Sequence, residues 1–175
     1  IIDPLGNVET FTYNKNAMLT EKCDKDGYHT KYGYDSRGLL TDILYADGSS
    51  VSYAYDELRK LNEIKDSTGI TRIINDALGI VISVTDPENN TIGYKWGSMG
   101  EKLALVYPDG REALYNYNTL GQLETLTTDK GVINYSYDRQ GRLTKKSFPN
   151  SVITKYSYNS IGRLESILHK GENIT

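Results

Sequence analysis

Tyr135-Ser136-Tyr137-Asp138-Arg139-Gln140-Gly141 is one frame of a pattern, Tyr-x-Tyr-(Asp/Asn)-x-x-Gly, that recurs from one end of the chain to the other. Counted at the closing Gly slot, the frame returns at Ala17, Gly38, Arg59, Gly79, Gly100, Gly121, Gly141 and Gly162, eight copies at steps of 20 or 21 residues. The two ring slots hold Phe11/Tyr13, Tyr32/Tyr34, Tyr53/Tyr55, Ile73/Asn75, Tyr94/Trp96, Tyr115/Tyr117, Tyr135/Tyr137 and Tyr156/Tyr158. Fourteen of these 16 slots are aromatic in a chain that is 10% aromatic overall, so the spacing is not a by-product of composition. The slot after the rings holds Asn14, Asp35, Asp56, Asp76, Asn118, Asp138 and Asn159, with Gly97 the one departure. A fixed period this short marks a repeat architecture, in which one unit cannot bury itself and must stack on its neighbours. We therefore read residues 1–175 as a single array of eight repeats.

Each repeat carries a second punctuation mark about ten residues after the first, seen as Asp26-Gly27, Asp47-Gly48, Thr68-Gly69, Asn89-Asn90, Asp109-Gly110, Lys130-Gly131 and Pro149-Asn150. Gly and Asn tolerate positive φ, and such dipeptides between alternating segments signal β-hairpins. The segments between turns, for example Arg142–Phe148 and Val152–Tyr158, are rich in β-branched and aromatic residues and lack a helical period. Each repeat is thus expected to be one antiparallel hairpin. Alternation places Val152, Thr154, Tyr156 and Tyr158 on one face, so the rings of successive repeats should form ladders. Apolar residues two and five places after the Gly slot (Leu40/Ile43, Leu61/Ile64, Leu123/Leu126) have odd spacing; either both faces are partly covered or a bulge intervenes.

The Asp/Asn slot fits a turn in which a short side-chain oxygen accepts a backbone hydrogen bond from two residues on, while the Gly supplies the left-handed conformation. Arg59, standing in that Gly slot, should be strained or sit in an altered turn. The fourth copy, with Ile73 and Asn75, reads as drift and a weak point in the ladder. Sixteen strands at about 4.8 Å would span roughly 75 Å if flat, and twisted sheets of that size curl. The expected fold is therefore all-β: tandem antiparallel hairpins of about 21 residues in a long curled or spiral sheet, a partial shell or barrel. A propeller, at two repeats per blade, lacks support because no double period is present.

Bulk properties narrow function. The net charge of −3 lacks the basic excess that phosphate backbones require, so nucleic acid is not an expected partner. No apolar run reaches the roughly 18 residues of a spanning helix. Cys23 has no partner for an internal disulfide. His29 and His169 lie far apart in the repeat frame, without metal-ligand spacing, and Asp24-Lys25-Asp26-Gly27 fits a hairpin turn better than a calcium loop. No catalytic residue, metal site or cofactor is expected, since near-equivalent carboxylates in every repeat point to turn geometry rather than one tuned active site. The array begins partway through a repeat and reads as an excerpt of a longer one. Its open edge strands are expected to favour self-association.

The segments Tyr135–Thr144 and Tyr156–Glu165, and the opening Asp3-Pro4-Leu5-Gly6-Asn7, resemble the YD repeats of the Rhs family across the whole chain. Relatives include bacterial Rhs and wall-associated polymorphic toxins, C subunits of insecticidal toxin complexes, and teneurins. The resemblance implies a spiral of hairpins forming a hollow shell, with the toxins enclosing a C-terminal effector, in secreted or cell-surface bacterial proteins. The expected function is a structural segment of such a shell, its partners being the enclosed effector of the parent chain or neighbouring repeats. The signature residues it implies are Tyr32, Tyr34, Asp35, Gly38, Tyr53, Tyr55, Asp56, Tyr115, Tyr117, Asn118, Gly121, Tyr135, Tyr137, Asp138, Gly141, Tyr156, Tyr158, Asn159 and Gly162. These 175 residues hold neither the family's core-closing Asp-Pro-x-Gly-Leu segment nor a toxin-like domain, so neither cargo nor self-cleavage carries over. The alternative is a glycan-binding or adhesion module, because exposed tyrosines are natural platforms for sugars.

Overall fold

The computed structural model describes residues 1–171 and is all-β. The chain divides into two compact units, residues 1–91 and residues 92 onward. The first holds β1 (Thr10–Tyr13), β2 (Leu19–Cys23), β3 (His29–Tyr34), β4 (Leu40–Leu44), β5 (Ser50–Tyr55), β6 (Leu61–Asp66), β7 (Gly69–Asn75) and β8 (Val81–Thr85). The second holds β9 (Thr91–Trp96), β10 (Lys102–Val106), β11 (Glu112–Tyr117), β12 (Leu123–Thr128), β13 (Gly131–Tyr137), β14 (Leu143–Ser147), β15 (Ile153–Tyr158) and β16 (Leu164–Lys170). Within each unit every strand pairs antiparallel with the next in sequence, so sheet order follows chain order and no blade-like breaks occur.

Both turns of the repeat are built alike. In the YD turn the N–H of Asp35 donates to Leu39 O at 2.9 Å and the N–H of Gly38 to Asp35 O at 3.0 Å, a tight turn closed by a residue with positive φ. The same pair of bonds recurs in every YD turn from Asn14 to Asn159. Among the described residues four that are not glycine take the left-handed conformation: Ala17, Arg59, Asn89 and Ser151. Arg59, at φ 66°, keeps the turn intact, with Asp56 N to Lys60 O at 2.9 Å; of the two expected outcomes, strain is the one realised. At the last second-type turn the left-handed residue is Ser151, one place after the expected Asn150.

The step of 20 rather than 21 residues has a local origin. The second turn is usually a three-residue loop, as in Asp24 N to Tyr28 O at 3.0 Å. In the two repeats with the shorter step, strand pairing closes directly at Asp66↔Gly69 and at Thr128↔Gly131, leaving two-residue loops. One residue is lost at the turn and register elsewhere is unchanged.

The ambiguity over faces is settled by a bulge. In β4 the partners run Gly33↔Asp42 and then Tyr34↔Leu40, so Thr41 is the extra residue. The same slip falls at Asn62 in β6, Glu124 in β12 and Thr144 in β14. With one residue bulged, Leu40 and Ile43 return to the same face, opposite Tyr34 and Tyr32 respectively. Rings and aliphatic side chains thus share one face in each hairpin. No large side chain is fully buried among the described residues, and the buried apolar residues are small, Ala104 and Ala113. The apolar interior is accordingly a face, held by cross-strand pairs of about 0.2–1 kcal/mol each.

Candidate functional site

The two ring slots do different work. In five of the eight repeats the second ring reaches back to the strand before it and donates its hydroxyl to a main-chain carbonyl: Tyr34 to Leu19 at 2.8 Å, Tyr55 to Leu40 at 2.9 Å, Tyr117 to Lys102 at 3.0 Å, Tyr137 to Leu123 at 2.9 Å and Tyr158 to Leu143 at 2.8 Å. Each acceptor sits beside the bulge. Backbone pairing on that side stops short of it, at Glu21↔Lys31 in the β2–β3 pair, and the phenol meets the carbonyl there. The side chain closes the gap that the bulge opens.

In the fourth repeat Asn75 takes the role, its Nδ2 donating to Leu61 O at 3.0 Å. This corrects the reading of Asn75 as drift: the ring is lost but the donor is kept. A sequence signal for the whole device existed. The second slot is always a side-chain donor (seven of eight being Tyr or Trp, the eighth Asn75), whereas the first slot admits Phe11 and Ile73.

The Asp/Asn slot is also occupied as its chemistry requires. Oδ1 of Asp35 accepts from the N–H of Arg37 and of Leu39, both at 2.9 Å, and Asp138 does the same for Gln140 and Arg142. Asn118 and Asn159 repeat the pattern, while Asp56 Oδ1 accepts from Lys60 N at 2.8 Å. The closing glycines Gly38, Gly121, Gly141 and Gly162 lie at φ between 73° and 81°. The backbone N–H of Leu39 holds Asp35 below the usual carboxylate range, and that of Arg142 does so for Asp138.

At Gly97 the acid is supplied from elsewhere. Glu101, four residues on, folds its carboxylate into the space a side chain at Gly97 would fill, and its Oε2 accepts from Met99 N at 3.0 Å. No residue type within the frame marks it, because it enters from the far end of the turn.

The first rings, Tyr32, Tyr53, Tyr115, Tyr135 and Tyr156, lie half-buried on the same face, paired across strands with Ile43, Ile64, Leu126, Lys146 and Ile167. Burial pushes the phenols of Tyr55, Tyr117, Tyr135 and Tyr137 upward in pKa. Around Lys102 the face is specialised: its Nζ lies 5.6–5.9 Å from the centres of the Tyr94, Trp96 and Tyr115 rings. A concavity lined by Met99, Leu103, Tyr115 and Asn116 has one carboxylate, Glu101, which is committed to its turn. Tyr13, 58% exposed, is the one ring of the frame that stands open.

Among the described residues no group of three or more His, Cys, Asp or Glu side chains could hold a metal ion, and no helix is long and apolar enough to cross a membrane. His29 pairs with Glu21 at 3.0 Å and His169 with the Thr154 hydroxyl at 2.9 Å, on different strands.

A repeated hairpin whose second ring is fastened to the bulge of the strand before it defines a wall-building repeat of the YD type. The sequence profile described as Teneurin YD-shell matches residues 5–147, the RHS Repeat profile matches residues 134–172, and the chain belongs to this YD-shell family of structural shell repeats. Solved structures agree on the fold: TcdB2-TccC3-TEV superposes with a TM-score of 0.77 at 16% identity over 94% of this chain. TcdB2-TccC3 without its hypervariable C-terminal region gives 0.76 at 18% over 93%. A Tc holotoxin pore of Photorhabdus luminescens gives 0.56 at 16% over 95%. This chain spans 10% of the first two matched chains and 12% of the third. A comparison with curated proteins returns no match.

Proposed function

We propose that the chain is a length of β-shell wall whose work is to enclose or present another part of its parent protein, with a C-terminal effector as the enclosed partner. The observation that carries this reading is the commitment of the second rings: five phenols and one amide are spent on the carbonyls of neighbouring strands. Side chains so engaged are fasteners. The family relationship supports a shell, and it supports a secreted or cell-surface setting within a larger polypeptide, the eight repeats acting as one array.

Limited proteolysis of the parent protein tests enclosure. The enclosed segment should resist protease until the wall is unfolded; cleavage at the rate of a free domain while the wall stays folded overturns the reading. Adhesion through glycans is the competing outcome. Glycan-array binding abolished by Tyr115→Ala with Tyr117→Ala, with the β spectrum retained, would replace the wall by a carbohydrate platform.

A further inference from the structure

In the second unit, the face of the sheet turned away from the rings changes character over β13–β16. Partners across these strands run Ser136↔Lys145, Lys145↔Lys155 and Lys155↔Leu168 in one row, and Asn134↔Ser147, Ser147↔Ile153 and Ile153↔Lys170 in the next. Lys145 and Lys155 therefore face each other directly, with Lys170 on the diagonal about 7–8 Å from Lys155. Among the described residues two other pairs of charged side chains are directly opposed, Glu21↔Lys31 and Glu63↔Arg72, and both are of opposite sign. On this same face of the second unit Lys95 pairs with Glu112 at 2.7 Å, whereas no described carboxylate pairs with Lys145, Lys155 or Lys170. From Leu143 to Lys170 five cations stand against one carboxylate, Glu165, a net charge of +4 in a chain of −3.

Like charges directly opposed across strands destabilise a sheet, and a choice of residues that works against the fold is expected where a site needs it. Lysine on an edge strand can serve to keep other strands away, which accounts for Lys170 on β16. Both β14 and β15 are paired on two sides, so Lys145 and Lys155 have no edge to guard. Apolar side chains stand among them: Leu168, opposite Lys155, is 48% exposed, and Val132, on β13, is 40% exposed. The rings of Tyr135, Tyr137, Tyr156 and Tyr158 alternate to the other face. Cations in one plane, set among exposed aliphatic side chains and with no ring for a base to stack on, fit a flat anionic surface with hydrocarbon beneath it.

We propose that this face of β13–β16 is a contact surface for an anionic lipid bilayer, with the three ammonium groups at the charged headgroups and Leu168 and Val132 entering the acyl boundary. Salt screens charges more than about 10 Å away, so the local excess of lysine decides the contact and the net charge of the chain does not. Binding of this kind is peripheral, reversible and salt-sensitive. It uses the face that the rings leave free and is independent of what the wall encloses.

Co-sedimentation of the chain with vesicles tests this. Vesicles of phosphatidylcholine and phosphatidylserine in equal parts should bind the chain at about 0.1 M salt and release it at about 0.5 M, and vesicles of phosphatidylcholine alone should leave it in solution. Lys145→Gln with Lys155→Gln should weaken binding about tenfold or more, whereas Lys145→Arg with Lys155→Arg should keep it. Leu168→Gln should weaken binding at unchanged charge. Lys31→Gln with Lys65→Gln removes the same charge from the first unit and should leave binding as it was. No uptake by the phosphatidylserine vesicles overturns the inference, and so does an equal loss in the Lys31 and Lys65 variant. Duplex DNA bound as tightly as the vesicles overturns it too, and reassigns the lysines to a phosphate backbone.

Discussion

The phenol of Tyr137, on β13, donates a 2.9 Å hydrogen bond to the carbonyl oxygen of Leu123, at the bulge of β12. Backbone pairing between these strands reaches only Thr125↔Asn134 on that side, so the side chain substitutes for the next rung of the ladder. The bond joins the ring that opens one YD turn to the main chain just after the YD turn before it. Cohesion between successive YD turns is therefore written into the second ring slot.

Tyr137→Phe should cost about 0.5–1.5 kcal/mol, the usual contribution of a hydrogen bond, with a further cost where Leu123 O is left dry. Tyr117→Phe should behave alike through Lys102 O. Tyr53→Phe and Tyr115→Phe, in the first slot, should be near neutral. Urea unfolding of the four variants separates the slots; equal losses in both would remove the fastening role.

Ala17 and Arg59 occupy left-handed positions at φ 59° and 66°. Relief of an αL strain of roughly 1–2 kcal/mol, less the greater unfolded-state entropy of Gly, should leave Ala17→Gly stabilising by about 0.5–1 kcal/mol. Arg59→Gly should gain less, because the guanidinium also donates to Arg37 O at 2.8 Å. Thermal melting of both variants decides the order.

The pH profile should fall at both ends. Asp35 and Asp138 are held down by turn N–H groups, and Asp3 lies at about 2, chiefly through its bond from the Asn7 side chain. A depressed carboxylate contributes stability that is present above its unfolded pKa near 4 and lost as pH drops through the folded value. The phenols of Tyr55, Tyr117, Tyr135 and Tyr137 are raised, so their contribution holds below about pH 10 and is lost above it. Asp35→Asn and Asp138→Asn keep the turn acceptor and should flatten the acid limb. An acid limb unchanged in the double variant would show that these turns do not set it.

Gly97→Asp restores the frame but brings a second carboxylate against that of Glu101, so the single variant should be destabilised. Glu101→Gln should lose little alone and should rescue Gly97→Asp in the double variant. A double-mutant cycle in urea measures the coupling; strict additivity would mean that the two carboxylates do not share one seat.

The sequence announced the period, the hairpins, the Asx turns and the family, because each depends on residue types at fixed short spacing. What it concealed depends on main-chain geometry. The bulge at Thr41 or Glu124 adds no residue type of its own, only a slip in pairing, and so the faces of Leu40 and Ile43 stayed ambiguous. The acceptors of the tyrosine hydroxyls are carbonyls, which every residue carries, so Leu123 O could not be picked out by type. Asn75 reads as drift in the sequence because the aromatic residues of the other repeats define the slot by shape, while the structure defines it by donor. Glu101 escaped for a related reason: the turn asks for an oxygen in a place, and the place can be reached from either end.

The two-residue loops at Ser67-Thr68 and Asp129-Lys130 shorten their repeats without disturbing strand register on either side. Within each unit, length variation is thereby confined to the edge of second turns, while the edge of YD turns is held to one geometry by its Asx bonds and left-handed closures. For protein engineering this sets an address. Epitopes, tags or whole inserted domains belong at the second turns, where the chain already varies its own length, and the opposite margin is the one to leave untouched.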